Sequence, residues 1–394
     1  MLWLPAMLRV LTLTSLFPDG LNPTLGVFVE RQTLGLAGRG DVEVEVVSPV
    51  GWPVWPLSLL PHYAPRAALP ARETWKGVTV HRPRFRTWSR LATRGNGRRM
   101  AEALLPVLRD IRQRFPFDVI DTGFFWPDGP AAVRIGAALG APVSIKARGS
   151  DVHIWGHWPG IGEQIVAAGQ AAAGLLAVSG AMKADMAALG MPADRIRIHY
   201  TGIDLGRFHP VDRAAGKAAL GISGPLIVSA GRLHERKGQR LAVEALAALP
   251  EATLILVGEG PDRPWLERRI AAPDVAGRVR LLGLRPHDEL PPLLAAADVM
   301  VLPTASEGLA NVWVEALACG TPVVTTDVGG AREVIDRPAA GRLVPREAGA
   351  IAAAVSELLA DPPAQAEVRQ VAARFSWDAN RDALFEHLNS LARG

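Results

Sequence analysis

Glu307 and Glu315 stand eight residues apart in Glu307-Gly-Leu-Ala-Asn-Val-Trp-Val-Glu315, and the run continues Ala-Leu-Ala-Cys319-Gly320-Thr-Pro322-Val-Val. A glycine followed within two residues by proline ends a helix, and the β-branched pair after it opens a strand. The pattern predicts a short helix over residues 310–319, with Glu307 in the loop before it and Glu315 about one turn inside. Unpaired N–H groups at such a helix start hold anions, most often phosphate. Carboxylates beside that anion accept hydrogen bonds from the hydroxyls of a sugar or a ribose. The alternative is two solvated glutamates, the better reading of an isolated pair at this spacing.

A second signal lies upstream. Ser229-Ala-Gly231-Arg232-Leu-His-Glu-Arg-Lys237-Gly238 directly follows the strand-like Leu226-Ile-Val-Ser. A cationic loop at the carboxyl end of a parallel strand sits where open α/β sheets bind ligands. Arg232 offers a planar fork to phosphate oxygens and Lys237 a mobile point charge. Gly231 and Gly238 permit close backbone approach. Together with the glutamate pair these residues suggest a clamp for a diphosphate. The chain has no Asp-x-Asp, so no metal is expected to hold that diphosphate.

The elements that must position these loops alternate from end to end, which predicts α/β architecture with doubly wound parallel sheets. In the first half, strands are expected at 8–16, 42–47, 78–82, 119–122, 143–147 and 175–178, with helices at 99–115 and 130–139 among those between them. Residues 51–71, rich in proline, read as a long surface loop for an acceptor or a membrane. In the second half, strands are expected at 226–229, 253–257, 279–282, 299–302, 322–326 and 341–344. Two series imply two sheets with a cleft between them, joined near Gly202 to Pro210. The expected domains are 1–205, 206–377 and a closing helix, 378–394, that crosses back to the first domain.

At 394 residues the chain exceeds one ordinary core. Its 49% hydrophobic and 21% charged residues exclude a disordered chain. One cysteine, Cys319, excludes an internal disulfide and favours a reducing, cytoplasmic compartment. The apolar start is interrupted by Pro5 and Arg9, and no cleavage site follows, so no secretion signal is expected. The uncharged stretch Lys-free from Gln164 to Met182 reads as a helix and a strand and not as a membrane span.

Charge is uneven despite a net of +4: residues 77–101 hold Arg82, Arg84, Arg86, Arg90, Arg94, Arg98 and Arg99 with no carboxylate. Trp52, Trp55, Trp75 and Trp88 lie nearby in sequence. Arginine with tryptophan suits an anionic membrane interface, so peripheral contact at the inner face of the cell membrane is expected. A solvated loop is the alternative. No nucleic-acid-binding module accompanies the run, and nucleic acid is not expected as a partner.

These residues resemble glycosyltransferase family 4, the retaining enzymes of the GT-B fold with two facing Rossmann-like domains. Gly231-Arg232 with Lys237-Gly238, Val257-Gly-Glu-Gly260, Glu307 with Glu315, Gly320-Thr-Pro-Val-Val, Gly329-Gly330 and Phe375-Ser-Trp377 carry the resemblance. The opening Thr14-Ser-Leu-Phe-Pro18 and Pro23-Thr-Leu-Gly26 is similar to a subset that builds teichuronic acid and exopolysaccharides.

The resemblance implies a retaining, metal-independent glycosyltransferase that needs no cofactor. Its donor would be UDP- or GDP-linked, and its acceptor a growing, lipid-linked cell-surface glycan. By the same resemblance Arg232 and Lys237 would bind the donor diphosphate, and Gly26 would offer its backbone N–H to the distal phosphate. Glu315 would hold the ribose, Glu307 would contact the sugar near its reacting carbon, and the backbone of Leu309, Ala310, Asn311 and Val312 would line sugar and phosphates. Where relatives carry His-Gly after the strand at 143–147, this chain has Arg148-Gly-Ser-Asp151. Arg148, Asp151 and His153 are therefore the acceptor-side candidates, with Arg148 suited to an anionic acceptor. Thr201 replaces a common asparagine at the junction, without expected catalytic effect. A nucleotide-sugar epimerase of the same fold, and an inactive membrane-associated assembly partner, are the rival readings.

Overall fold

The computed structural model describes residues 7–61, 63–87 and 90–394, the side chains of 90–92 excepted. The chain forms two compact units: residues up to Gly202 together with Trp377–Gly394, and Ile203–Ser376. Both changes of unit fall slightly before the expected positions, because the two crossing segments pair side by side. Ile203 bridges Ser376, and the Ile203 N–H donates to the Phe375 carbonyl at 2.7 Å.

In the first unit the strands are β1 (Leu8–Leu13), β2 (Val42–Val47), β3 (Val50–Pro53), β4 (Arg72–Trp75), β5 (Val78–His81), β6 (Arg84–Thr87), β7 (Val119–Thr122), β8 (Val143–Ala147), β9 (Gly174–Ala177) and β10 (Ile196–Ile198). Eight of them form one sheet in the order β10-β9-β8-β7-β1-β2-β5-β4, parallel except for the β4–β5 hairpin. The strands β7, β8 and β9 are buried along their whole length, as expected where helices cover both faces. The closing helix Trp377–Arg393 packs on this unit through Leu384 and Leu388, which join Leu8, Val10, Val119 and Leu176 in one core.

The second unit holds β11 (Leu226–Ala230), β12 (Thr253–Val257), β13 (Val279–Gly283), β14 (Val299–Leu302), β15 (Val323–Thr326) and β16 (Gly341–Val344). Its sheet runs β13-β12-β11-β14-β15-β16 and is parallel throughout. Strand order reverses between β11 and β14. That switch point opens a crevice at the carboxyl ends of the strands.

Two expectations change and one holds. Residues 51–71 are not one loop: β3 pairs in parallel with β6 as a separate ribbon, followed by 3-10 turns at Leu57–Leu59 and Ala64–Ala68. The stretch 164–182 contains the end of the helix Gly162–Ala171, strand β9 and the start of the helix Gly180–Ala188. Among the described residues no helix is long and apolar enough to cross a membrane. The arginine run is not one surface either. Arg82 is 3% exposed, with its Nε donating to Glu73 at 2.5 Å and Nη2 to the Pro18 carbonyl at 2.6 Å. Arg98 and Arg99 lie on the helix Asn96–Arg114. Trp88 and the side chain of Arg90 lie outside the described residues.

Candidate active site

A cavity of about 730 Å³ opens at the carboxyl ends of β11 and β14, within the second unit. This is the usual size for a small-molecule site. Gly231, Arg232, Lys237, Glu307, Leu309, Ala310, Asn311, Val312 and Glu315 all line it. Nine of the residues singled out from sequence, distributed over two segments, thus meet in one place.

The cationic wall is an extension of the sheet. Past the end of β11, Gly231 N–H donates to the Val257 carbonyl at 2.9 Å and Leu233 N–H to the Glu259 carbonyl at 3.0 Å. This keeps the two loops together beyond the strands. A Cβ on Gly258, whose φ is +139°, would collide with the Gly231 carbonyl, so glycine is required for the close approach. Arg232 leaves this wall exposed and has no side-chain partner among the described residues. It is a cation ready for an incoming anion.

Lys237, from the single 3-10 turn Glu235–Lys237, reaches across and pairs with Glu307. Their side chains are only 19% and 14% exposed. Thr304 Oγ1 also lies 3.2 Å from Glu307 Oε1. The Glu307 loop is held from behind: Gly330 N–H donates to the Gly308 carbonyl at 2.8 Å, and a Cβ on Gly329 would strike the Glu307 carbonyl. Gly329 adopts φ +51°, so both space and backbone call for glycine there.

The helix behind this loop spans Asn311–Ala318, one residue shorter at each end than expected. Its N-cap, Ala310, has an extended backbone and supplies no side-chain cap. First-turn amides therefore remain available to a ligand. The helix stops as its residues require, with Gly320 at φ +77° and Thr321 N–H returning to the Ala316 carbonyl at 2.9 Å. Cys319 is buried beside it, and burial together with nearby Glu315 pushes its thiol up to about 12. It is packing, not a nucleophile.

Sequence reasoning missed His287. Its Nε2 lies 2.8 Å from Glu315 Oε1, and its ring packs 5.3 Å from that of Phe208. Glu315 is 6% exposed, so this bond fixes a nearly buried carboxylate. Leu284 and Arg285 of the same loop and Leu290, which opens the helix Leu290–Ala296, line the cavity, and Leu284 is 78% exposed. The available signal was position: this loop follows β13 at the same sheet end as the two recognised loops.

The remaining candidates belong to the first unit. Gly26 is the N-cap of the helix Val27–Ala37, at φ +64°, where any Cβ would meet the Leu16 carbonyl. Arg148, just after β8, is half-buried; its Nε donates to the Gly123 carbonyl at 2.7 Å, and burial lowers its pKa to about 10. Asp151 is fully buried, and its carboxylate accepts backbone N–H groups from Arg148 and Gly149 at 3.0 and 2.8 Å. Its lone pairs hold the turn that carries Arg148. Burial raises its pKa, against the lowering effect of those amides. His153 pairs with Asp185 at 2.8 Å on the surface. Among the described residues no group of three or more His, Cys, Asp or Glu side chains is arranged to hold a metal ion.

Two doubly wound units with a ligand cavity at a strand-order reversal define a GT-B fold, and comparison with solved structures agrees. The Anabaena protein HepE, solved in complex with UDP, superposes with a TM-score of 0.74 at 20% identity, covering 98% of this chain and all of that one. The chain belongs to the family 4 glycosyltransferases: the Glycosyltransferase Family 4 model matches residues 25–207, and the group 1 glycosyl transferase model matches 224–361. Bacillus subtilis TuaC, named as a teichuronic acid biosynthesis glycosyltransferase, is 30% identical over 360 residues, covering 89% of this chain and 88% of TuaC. D-inositol 3-phosphate glycosyltransferase of Mycobacterium leprae is 36% identical over 209 residues, 48% of each chain. The protein is a glycosyltransferase.

Proposed function

We propose that this enzyme takes a sugar from a UDP- or GDP-linked donor and adds it, with retention, to a growing lipid-linked cell-surface glycan. It works peripherally at the cytoplasmic face of the membrane and without a metal ion. One observation carries the reading: an unpaired Arg232 and the Lys237–Glu307 pair face the same cavity as Glu315 and an uncapped helix start. Three cationic or partly positive groups suit a diphosphate, and a nearly buried carboxylate suits a ribose.

Donor binding exchanges partners. The diphosphate draws Lys237 toward itself and frees Glu307 for the sugar hydroxyls. In the transfer step the bond from the sugar's anomeric carbon to the phosphate oxygen breaks, and the acceptor oxygen bonds to that carbon on the same face. The acceptor proton passes to the departing phosphate oxygen. Arg232 and Lys237 stabilise the negative charge that grows there, more in the transition state than before it. The two cations take the place of a metal. TuaC's name supports an envelope glycan as product, and Arg148 supports an anionic acceptor.

A thermal-shift panel of nucleoside diphosphates and nucleotide sugars tests the donor. A specific donor at 100 times its Kd should raise stability by about 2.7 kcal/mol. No shift with any member of the panel would overturn the reading. With the donor found, transfer should persist in chelator and keep the anomeric configuration, while an epimerised nucleotide product would favour the epimerase.

A further inference from the structure

Exposed large apolar side chains are scattered over the first unit, as at Leu21, Leu25, Phe28, Ile154 and Trp158, but one run is denser and more exposed than the others. Trp55 is 77% exposed, Leu59 68%, Leu60 41% and Leu57 37%, all within six consecutive positions. Isolated exposed leucines need no explanation, but a cluster led by tryptophan does. The cluster projects from the two-stranded ribbon of β3 and β6, outside the main sheet. From Pro49 to Ala71 the chain has no carboxylate.

The base of this projection is cationic. Arg66 Nη1 donates to the Gly51 carbonyl at 2.8 Å, and Arg84 Nη2 to the Ala67 carbonyl at 2.8 Å, with its guanidinium 4.9 Å above the Trp52 ring. Arg86 pairs in register with Trp52. These bonds lock the loop onto the ribbon yet leave each charge without a carboxylate partner among the described residues, in contrast to Arg82 and Glu73.

We propose that the loop of residues 54–60 is a membrane-docking element. Trp55, Leu59 and Leu60 enter the headgroup boundary of an anionic bilayer, while Arg66, Arg84 and Arg86 meet lipid phosphates. Tryptophan favours that boundary, and uncompensated arginines at the base match its negative surface potential. A second copy of this chain would cover the apolar tip but leave those arginines facing each other. The proposal rests on the lipid-linked acceptor and narrows the expected membrane contact to this loop with Arg84 and Arg86 of the arginine run, leaving out Arg94 and Arg98.

The test is sedimentation with vesicles of phosphatidylcholine alone and with one-third phosphatidylglycerol. Wild type should bind the anionic vesicles, more weakly at high salt. Trp55→Ser with Leu59→Ser should lower the partition coefficient at least tenfold, whereas Arg94→Ser with Arg98→Ser should change it less than twofold. Donor thermal shift is measured on every variant, so an intact shift with lost vesicle binding separates docking from the donor site. Three results overturn the proposal: wild type that stays in the supernatant, equal binding by the loop variant, or a dimer by analytical ultracentrifugation that the loop substitutions dissolve.

Discussion

The carboxyl ends of β11 and β14 and those of β7 and β8 both gather charged side chains, and the two units treat them in opposite ways. In the second unit Arg232 is exposed and Lys237 and Glu307 border an open cavity. In the first, Asp121, Lys146 and Asp151 are 2%, 0% and 0% exposed. Lys146 Nζ donates to Gln32 Oε1 at 3.1 Å and to His199 Nδ1 at 2.9 Å; His199 Nε2 in turn donates to the Asn380 carbonyl at 2.9 Å on the closing helix. Burial raises the Asp121 carboxyl to about 6 and depresses Lys146 well below the ordinary lysine range. Charged residues of similar type thus border an open cavity where water reaches them and hold secondary structure together where it does not.

The largest effect that tests this contrast belongs to the open site. Arg232→Ala and Lys237→Ala should each slow transfer about 100- to 1000-fold, because their charge acts most strongly on the departing diphosphate. The melting temperature of each variant without donor should stay near wild type. Unchanged turnover in both would remove the proposed clamp.

The sealed cluster should respond in stability. Asp151→Ala leaves the Arg148 and Gly149 amides without their acceptor in a buried turn and should cost about 3 kcal/mol, read from urea unfolding of the first unit. A variant as stable as wild type but defective in acceptor KM would return Asp151 to the acceptor side.

A pH scan separates the two regions further. His387 on the closing helix lies 2.9 Å from Ser144 Oγ, is 2% exposed, and has its pKa lowered to about 4 by burial. A histidine depressed in the folded state binds fewer protons there than in the unfolded chain. Stability is therefore complete above the unfolded value near 6.5 and is lost as pH falls toward 4, by about 2 kcal/mol at pH 5. His387→Gln should flatten that acid limb. An unchanged limb would assign acid sensitivity to other groups, such as His199.

Much of the second unit was legible because its site is local: each loop directly follows a strand, and glycine, proline and charge mark the loop itself. Strands 42–47, 119–122, 143–147, 253–257, 299–302 and 341–344 agree with the structure to the residue. The first unit was harder to read. The short strands β3, β4, β6 and β10 lack long apolar runs, and β3, β6 and β10 depend on partners distant in sequence. Whether Asp151 faces a ligand or a backbone amide depends on tertiary burial, which residue type does not reveal. The same holds for Arg82, charged in sequence but enclosed by Glu73 and Pro18. His287 escaped because its meaning lies in one contact across 28 residues.

The smallest expected effects lie within the open site and divide it. Glu307 is held in the loop beside Lys237, where the sugar's reacting end should sit, so its interaction should strengthen as positive charge develops on the anomeric carbon. Glu315 is fixed by His287 and should hold a ribose that undergoes no chemistry. Loss of an interaction specific to the transition state lowers kcat, whereas loss of uniform binding raises KM. Glu307→Gln should reduce kcat about tenfold with little change in donor KM, and Glu315→Gln should raise donor KM about tenfold with kcat nearly intact. His287→Ala should follow Glu315 with a weaker rise of about threefold, since the carboxylate remains but loses one hydrogen-bond partner. His287→Gln, whose amide can still donate, should recover most of that loss. Steady-state donor titrations of the four variants decide the matter. If His287→Ala lowers kcat instead, or Glu307→Gln changes only KM, the division between a ribose end held by His287 and Glu315 and a reacting end held by Lys237 and Glu307 is wrongly drawn.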